Sequence, residues 1–193
     1  MRKKIFAFLL LSALYASAQE VPDWENPIVV GINKEPYHAT LTLPSQKADC
    51  KEIRSLNGKW RFQWSADPGK RPADFYKNDF NTDTWDTITV PGAWQLQGYG
   101  KLIYSNVNYP FQKDAPKVTS EPPAEYYSYG HRNPTGSYVT TFEVTPDMKD
   151  KCLYLHFEGV KSAMYVWVNG ERVGYSQNSM SPAEFDITEF VKN

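Results

Sequence analysis

Cysteine is scarce: Cys50 and Cys152 are the only two in 193 residues. So small a number excludes a disulfide-dense scaffold, in which several bridges stand in for a core. Cys50 sits in a polar connecting stretch and Cys152 in a strand-like run, and their spacing leaves one bridge and two free thiols both open. A domain of this size holds without a staple, which favours the thiols. Net charge is lacking too, since 21 Lys and Arg against 22 Asp and Glu leave −1 at pH 7. The basic residues are scattered and form no stripe, so nothing steers the chain to nucleic acid. Beyond residue 18 no apolar run approaches the roughly 20 residues that span a bilayer. His38, His131 and His156 are not spaced as metal ligands and read as surface or packed histidines. A Gly-rich phosphate loop and a Gly-x-Ser-x-Gly nucleophile turn are both missing. No helical pattern alternates with the strand-like segments, which argues against a parallel α/β fold.

What is present begins with an export leader. Arg2, Lys3 and Lys4 precede an apolar stretch, Ile5 to Tyr15, and Ala16-Ser17-Ala18 supplies a small-x-small cleavage site. Residues 1–18 therefore read as a signal peptide, with a mature chain from Gln19 that is periplasmic or secreted. Residues 19–51 follow as a polar arm punctuated by Pro22, Pro27, Pro36 and Pro44. Such a stretch is expected to run extended over a surface instead of building a core. Aromatic residues make up 15% of the chain; they favour strands and fill sandwich cores, and exposed ones can stack on sugar rings.

From about residue 52 the texture becomes short strands between turn signals. Trp60, Phe62 and Trp64 alternate with Arg61 and Gln63 after an Asn57-Gly58 turn. Residues 70–86 read as an irregular or briefly helical link, and Trp85 to Val90 as a strand stopped by Pro91-Gly92. After a long loop over 112–135, strand character is expected over Gly136–Val144, with Tyr138, Thr140 and Phe142 on one face. Leu153, Leu155 and Phe157 mark another strand. Met164–Val168 and Glu171–Ser176 flank Asn169-Gly170, a strong hairpin signal, and Glu184–Ile187 closes the series. The expectation is an all-β sandwich over 52–193.

Taken in order, these segments resemble the amino-terminal domain of glycoside hydrolase family 2, its β-galactosidases in particular. The resemblance rests on Asp23-Trp24-Glu25-Asn26-Pro27, Arg54 to Phe62, Val90-Pro91-Gly92-Ala93-Trp94-Gln95 with Gly98-Tyr99, and Ile103 to Pro110. It continues through Asn133-Pro134-Thr135-Gly136, Phe157-Glu158-Gly159-Val160, Trp167-Val168-Asn169-Gly170 and Gly174-Tyr175-Ser176-Gln177. It implies a jelly-roll sandwich of the galactose-binding-domain kind, preceded by the extended arm and incomplete at its C-terminal end. An immunoglobulin-like domain and a catalytic barrel would follow. The chemistry implied is retaining hydrolysis of terminal β-D-galactosyl residues by two barrel glutamates roughly 5 Å apart. No catalytic residue is expected in this chain. The full-length enzyme is expected to be a homo-oligomer, with no nucleic acid or membrane as partner.

Two groups of site residues follow. Asn106, with Val107 beside it, lies in the loop Tyr104–Pro110, and its amide can both donate to and accept from a sugar hydroxyl. By resemblance it reaches into the galactose pocket; the alternative is that it satisfies its own turn. Asp23, Asn26 and Gln177, with the Val29 carbonyl, offer hard oxygens to a cation such as Mg²⁺. An Asn/Asp turn without metal accounts for the arm residues equally well. Further cation sites of the family would lie in the other domains. The competing functional reading is a stand-alone carbohydrate-binding or adhesin module, and a spacer domain is a third.

Overall fold

The computed structural model describes residues 21–39, 52–102, 114–119, 124–125 and 133–191. The leader, Cys50 and the loop bearing Asn106 and Val107 lie outside the described residues. Among the described residues eight strands run in chain order: β1 Gly31–Ile32, β2 Gly58–Ser65, β3 Asp86–Val90, β4 Thr135–Val139, β5 Tyr154–Phe157, β6 Ala163–Val168, β7 Glu171–Gln177 and β8 Ala183–Asp186. The remaining regular elements among the described residues are 3₁₀ turns of three or four residues, so the all-β expectation holds.

Every pairing among the described residues is antiparallel, in three sheets ordered β3-β2-β4, β1-β7-β6 and β5-β8. The period-two pattern of β2 places Phe62 at full burial while Arg61 stays exposed. Phe62 lies opposite Asp86 on one side and Tyr138 on the other. Its ring gathers Tyr138 at 4.7 Å, Tyr99 at 4.8 Å and Trp94 at 6.1 Å. Aromatic pairs at such separations contribute about 0.5–1.5 kcal/mol each beyond area burial.

The strand expected over Gly136–Val144 is shorter than its alternation suggests, because β4 ends at Val139. Arg61–Val139 is the last pair of the ladder. Thr140 and Phe142 lie beyond it, and Phe142 is exposed. An alternating run becomes a strand only while a neighbour accepts its hydrogen bonds.

The hairpin β6–β7 forms as the Asn-Gly signal demands. Asn169 and Gly170 both take positive φ, 50° and 85°, the geometry that matches the twist of the flanking strands. The register shifts once: Val166 pairs with Gly174 but Trp167 with Arg172, leaving Val173 as the extra residue of a bulge. Val166, Val168 and Val173 join Ala183, Phe185 and Ile187 in the main core, flanked by Leu153, Leu155, Phe157 and Met164. Full burial of one such aliphatic or aromatic side chain contributes about 1.5–3 kcal/mol.

Within its described residues, 21–39, the arm carries short regular elements. Asp23–Glu25 forms a 3₁₀ turn, and Gly31–Ile32 pairs with Ser176 and Tyr175 as an edge strand. Both edges of β7 are thereby paired, and Val173 to Ser176 are four consecutive buried residues.

Candidate functional site

The arm docks on the face of β6–β7 that points away from the main core. A regular strand would put Arg172 and Tyr175 on opposite faces, because they are an odd number of residues apart. The extra residue Val173 restores them to one face, beside Tyr165 and Trp167. Tyr165 and Tyr175 are cross-strand partners with rings 4.7 Å apart. The Arg172 guanidinium lies 4.6 Å from the centre of the Tyr165 ring.

Onto this platform comes Asp23. Its Oδ2 accepts from the Tyr165 hydroxyl at 2.7 Å and from the Arg172 guanidinium at 2.9 Å. Burial, then the bond to Asp23, pushes the Tyr165 hydroxyl well above the usual phenol range. Tyr175 is pushed up to about 12, chiefly by burial and then by the charge of Asp23. Both phenols therefore serve as neutral donors, and Tyr175 gives its proton to Gln177 Oε1 at 2.8 Å.

Trp24 sets its ring edge-on against Tyr165 at 6.1 Å. Its indole Nε1 is buried with no hydrogen-bond partner among the described residues. On the other side of the turn, Glu25 Oε1 accepts from the Val118 amide at 3.1 Å and the Thr119 hydroxyl at 2.6 Å. This carboxylate ties the segment 114–119 to the arm. A cleft of about 460 Å³ opens here, lined by Trp24, Glu25, Pro27, Ala115, Pro116 and Gln177.

Asp23, Asn26 and Val29, expected around a cation, lie on one turn of the arm, and Gln177 reaches it through its bond to the Asn26 carbonyl. Asn26 Oδ1 accepts from the Ile28 amide at 3.1 Å, the Asx turn that the sequence left as an alternative. The Asn26 carbonyl accepts from the Val29 amide at 3.1 Å and from Gln177 Nε2 at 3.1 Å. Asp23, Asn26 and Gln177 thus each commit one side-chain oxygen to a protein donor, and the charge of Asp23 faces Arg172. The donors are of the hard oxygen type that suits Mg²⁺; Asn26 Oδ1 and Gln177 Oε1 each keep a second lone pair, whereas Asp23 Oδ2 already accepts two bonds. Among the described residues no group of three or more His, Cys, Asp or Glu is arranged to hold a metal. The expected set, with a single carboxylate, is not of that kind.

Tyr165 and Arg172 escaped sequence reasoning. The signal available was that Tyr165 and Trp167 alternate on β6, while an acidic arm motif needs a donor surface to dock on.

Antiparallel sheets packed on an apolar core, with an arm docked on β6–β7, define a β-sandwich domain. The chain matches the family model described as "Glycosyl hydrolases family 2, sugar binding domain" over residues 53–193. It belongs to that family. It is 39% identical over 186 residues to a β-galactosidase of Priestia megaterium, covering 92% of this chain and 17% of the relative. Identity to a β-galactosidase of Clostridium acetobutylicum is 41% over 177 residues, 88% of this chain and 19% of that one. The β-galactosidase large subunit of Leuconostoc lactis is 36% identical over 182 residues, 88% of this chain and 29% of the subunit. The chain thus spans less than a third of these relatives. Among solved structures, a β-glucuronidase from an uncultured Clostridium aligns with TM-score 0.48 and 18% identity, over 72% of this chain and 20% of that one.

Proposed function

We propose that this chain is the amino-terminal, sugar-binding part of an exported, retaining β-galactosidase. The observation that carries this reading is the 36–41% identity to β-galactosidases over about nine-tenths of the chain. In this reading Asn106 and Val107 enter the galactose pocket, and the paired carboxylates belong to a barrel outside these 193 residues. An immunoglobulin-like domain and the barrel are its partners within one polypeptide, which assembles as a homo-oligomer. Asp23, Asn26, Val29 and Gln177 contribute oxygens to a Mg²⁺ ion that fastens the arm to the sandwich. The cation adds charge to the same latch that Arg172 and Tyr165 already form. The aromatic face of β6–β7 supports the enzyme reading over a stand-alone module. Its rings are covered from within the chain, Tyr165 by Trp24 and Trp167 by Tyr76 stacked at 5.4 Å, so that face is no open platform for a sugar.

The test compares aryl β-galactoside with aryl β-glucuronide hydrolysis by a polypeptide that carries this chain together with its barrel. Preference for the galactoside supports the proposal, and preference for the glucuronide overturns it. The 193-residue chain alone is expected to be inactive on both, since the mechanism needs two converging carboxylates. Asp23→Ala in the larger protein is expected to weaken Mg²⁺ dependence. If that dependence is unchanged, the cation site is not real.

A further inference from the structure

Away from the Asp23 latch, the same arm is fastened a second time. Both ring nitrogens of His38 face oxygens. Nε2 lies 2.9 Å from Glu184 Oε1, and Nδ1 lies 3.2 Å from the Ala39 carbonyl. A carboxylate and a carbonyl only accept, while a neutral imidazole carries one N–H. Only the imidazolium donates to both. Glu184 is set from the other side by His156, whose Nδ1 lies 2.9 Å from Oε2. His156 and Glu184 are directly opposed in the β5–β8 ladder, so the carboxylate stands on a paired strand. A neutral His156 with its proton on Nδ1 satisfies that contact.

The arm touches β8 and the loop after β7 at two further points. The Glu35 amide donates to the Glu184 carbonyl at 2.9 Å, and Asn178 Nδ2 donates to the Tyr37 hydroxyl at 3.1 Å. We propose that His38 is a pH-sensitive buckle, fastening arm residues 33–39 to strand β8 through Glu184 when its imidazole is protonated and loosening them when it is neutral.

The surrounding charges agree. Glu35 on the arm, Glu184 on β8 and Glu158 after β5 are acidic, and Glu158 lies 3.8 Å from His156 Nε2. The nearby Lys34 ammonium is turned onto the Tyr37 ring at 3.9 Å. Asp186 lies farther along β8, where its charge acts on Tyr154. A protonated His156 would oppose the charge on His38, although both share the same carboxylate. The bond to Glu184 raises the His38 pKa most, followed by the bond to the Ala39 carbonyl and the charge of Glu184. Partial burial works to raise the pKa of Glu184, but the bonds from His38 and His156 outweigh it and the net shift is downward. A histidine raised in the folded state contributes fully below its unfolded value of about 6.5. That contribution is lost as pH rises through the raised folded value. The buckle therefore tightens in mildly acid medium and opens toward alkaline pH.

The experiment is amide hydrogen exchange on the full chain between about pH 5 and 8.5, corrected for intrinsic exchange at each pH, with the β2–β4 ladder as internal reference. Protection of the Glu35 amide is expected to fall several-fold as His38 titrates while the ladder stays flat. In His38→Gln and Glu184→Gln that step disappears. The His38 ring protons, followed by NMR, should titrate above free histidine in the parent and closer to it in Glu184→Gln. Flat Glu35 protection in the parent overturns the proposal. So does a step that survives His38→Gln, including one lost only in His156→Gln. Should His38→Gln fail to fold, an unshifted His38 titration in the parent overturns it on its own.

Discussion

Gly174→Ala is expected to tear the arm from β7 at a cost of about 2–4 kcal/mol. A Cβ at Gly174 would lie 2.4 Å from the Ile32 carbonyl oxygen and 2.7 Å from the Phe185 ring. Neither neighbour has room to retreat. Phe185 is fully buried in the main core, and the Ile32 oxygen is main chain in β1. Overpacking of a filled site costs about 1–3 kcal/mol. Relief by moving β1 also weakens the bond from the Asn33 amide to the Val173 carbonyl at 3.0 Å and that from the Gln177 amide to the Val30 carbonyl at 3.2 Å. Each is worth about 0.5–1.5 kcal/mol. The control is Gly159→Ala, where the nearest heavy atom to the new Cβ is the Ser179 carbonyl oxygen at 3.7 Å, an ordinary contact. That change should stay within about 0.5 kcal/mol. Urea unfolding of both variants, read by tryptophan fluorescence, gives the two values. Equal midpoints for the two variants would refute the close approach of arm and sheet.

Tyr165→Phe keeps the ring but removes the hydroxyl that donates to Asp23, and should cost about 1–2 kcal/mol in urea unfolding, because a bond to a charged group is lost while Arg172 remains. An unchanged midpoint shows that Asp23 is not latched there. Burial pushes Tyr138 up to about 12, so the fold favours its neutral form. The stability this represents is intact below the unfolded value of about 10 and is lost as pH rises through about 12. Absorbance at 295 nm should show a late-titrating phenol that Tyr138→Phe removes; titration of every tyrosine near 10 while the circular dichroism stays native contradicts this.

Periodicity and turn chemistry carried the sandwich strands because those signals are local. Trp60, Phe62 and Trp64 alternate within one strand, and Asn169-Gly170 meets the backbone demand of its own turn. The failures were long-range. Val139 ends its strand because no neighbour continues the ladder, which the run to Val144 does not reveal. The arm strand at Gly31–Ile32 is two residues long, too short for any period to show, and exists because β7 offers an open edge. The latch depended on a bulge at Val173, which changes the face of Arg172 without any mark in the alternation around it. His38 and His156 looked like isolated surface residues because Glu184 meets them only after the arm has crossed β8. The family resemblance reached what spacing could not, since it compared the ordered set of motifs instead of each segment alone.

Whether this domain supplies part of the sugar pocket is decided most directly by kcat/KM for an aryl β-galactoside in the proposed enzyme, with and without Asn106→Ala. On the proposed role, loss of an amide that pairs with a sugar hydroxyl should lower kcat/KM about 30-fold or more, equivalent to about 2 kcal/mol, with the melting temperature unchanged. Parental kcat/KM in the folded variant would contradict the assignment and leave Asn106 as a turn residue.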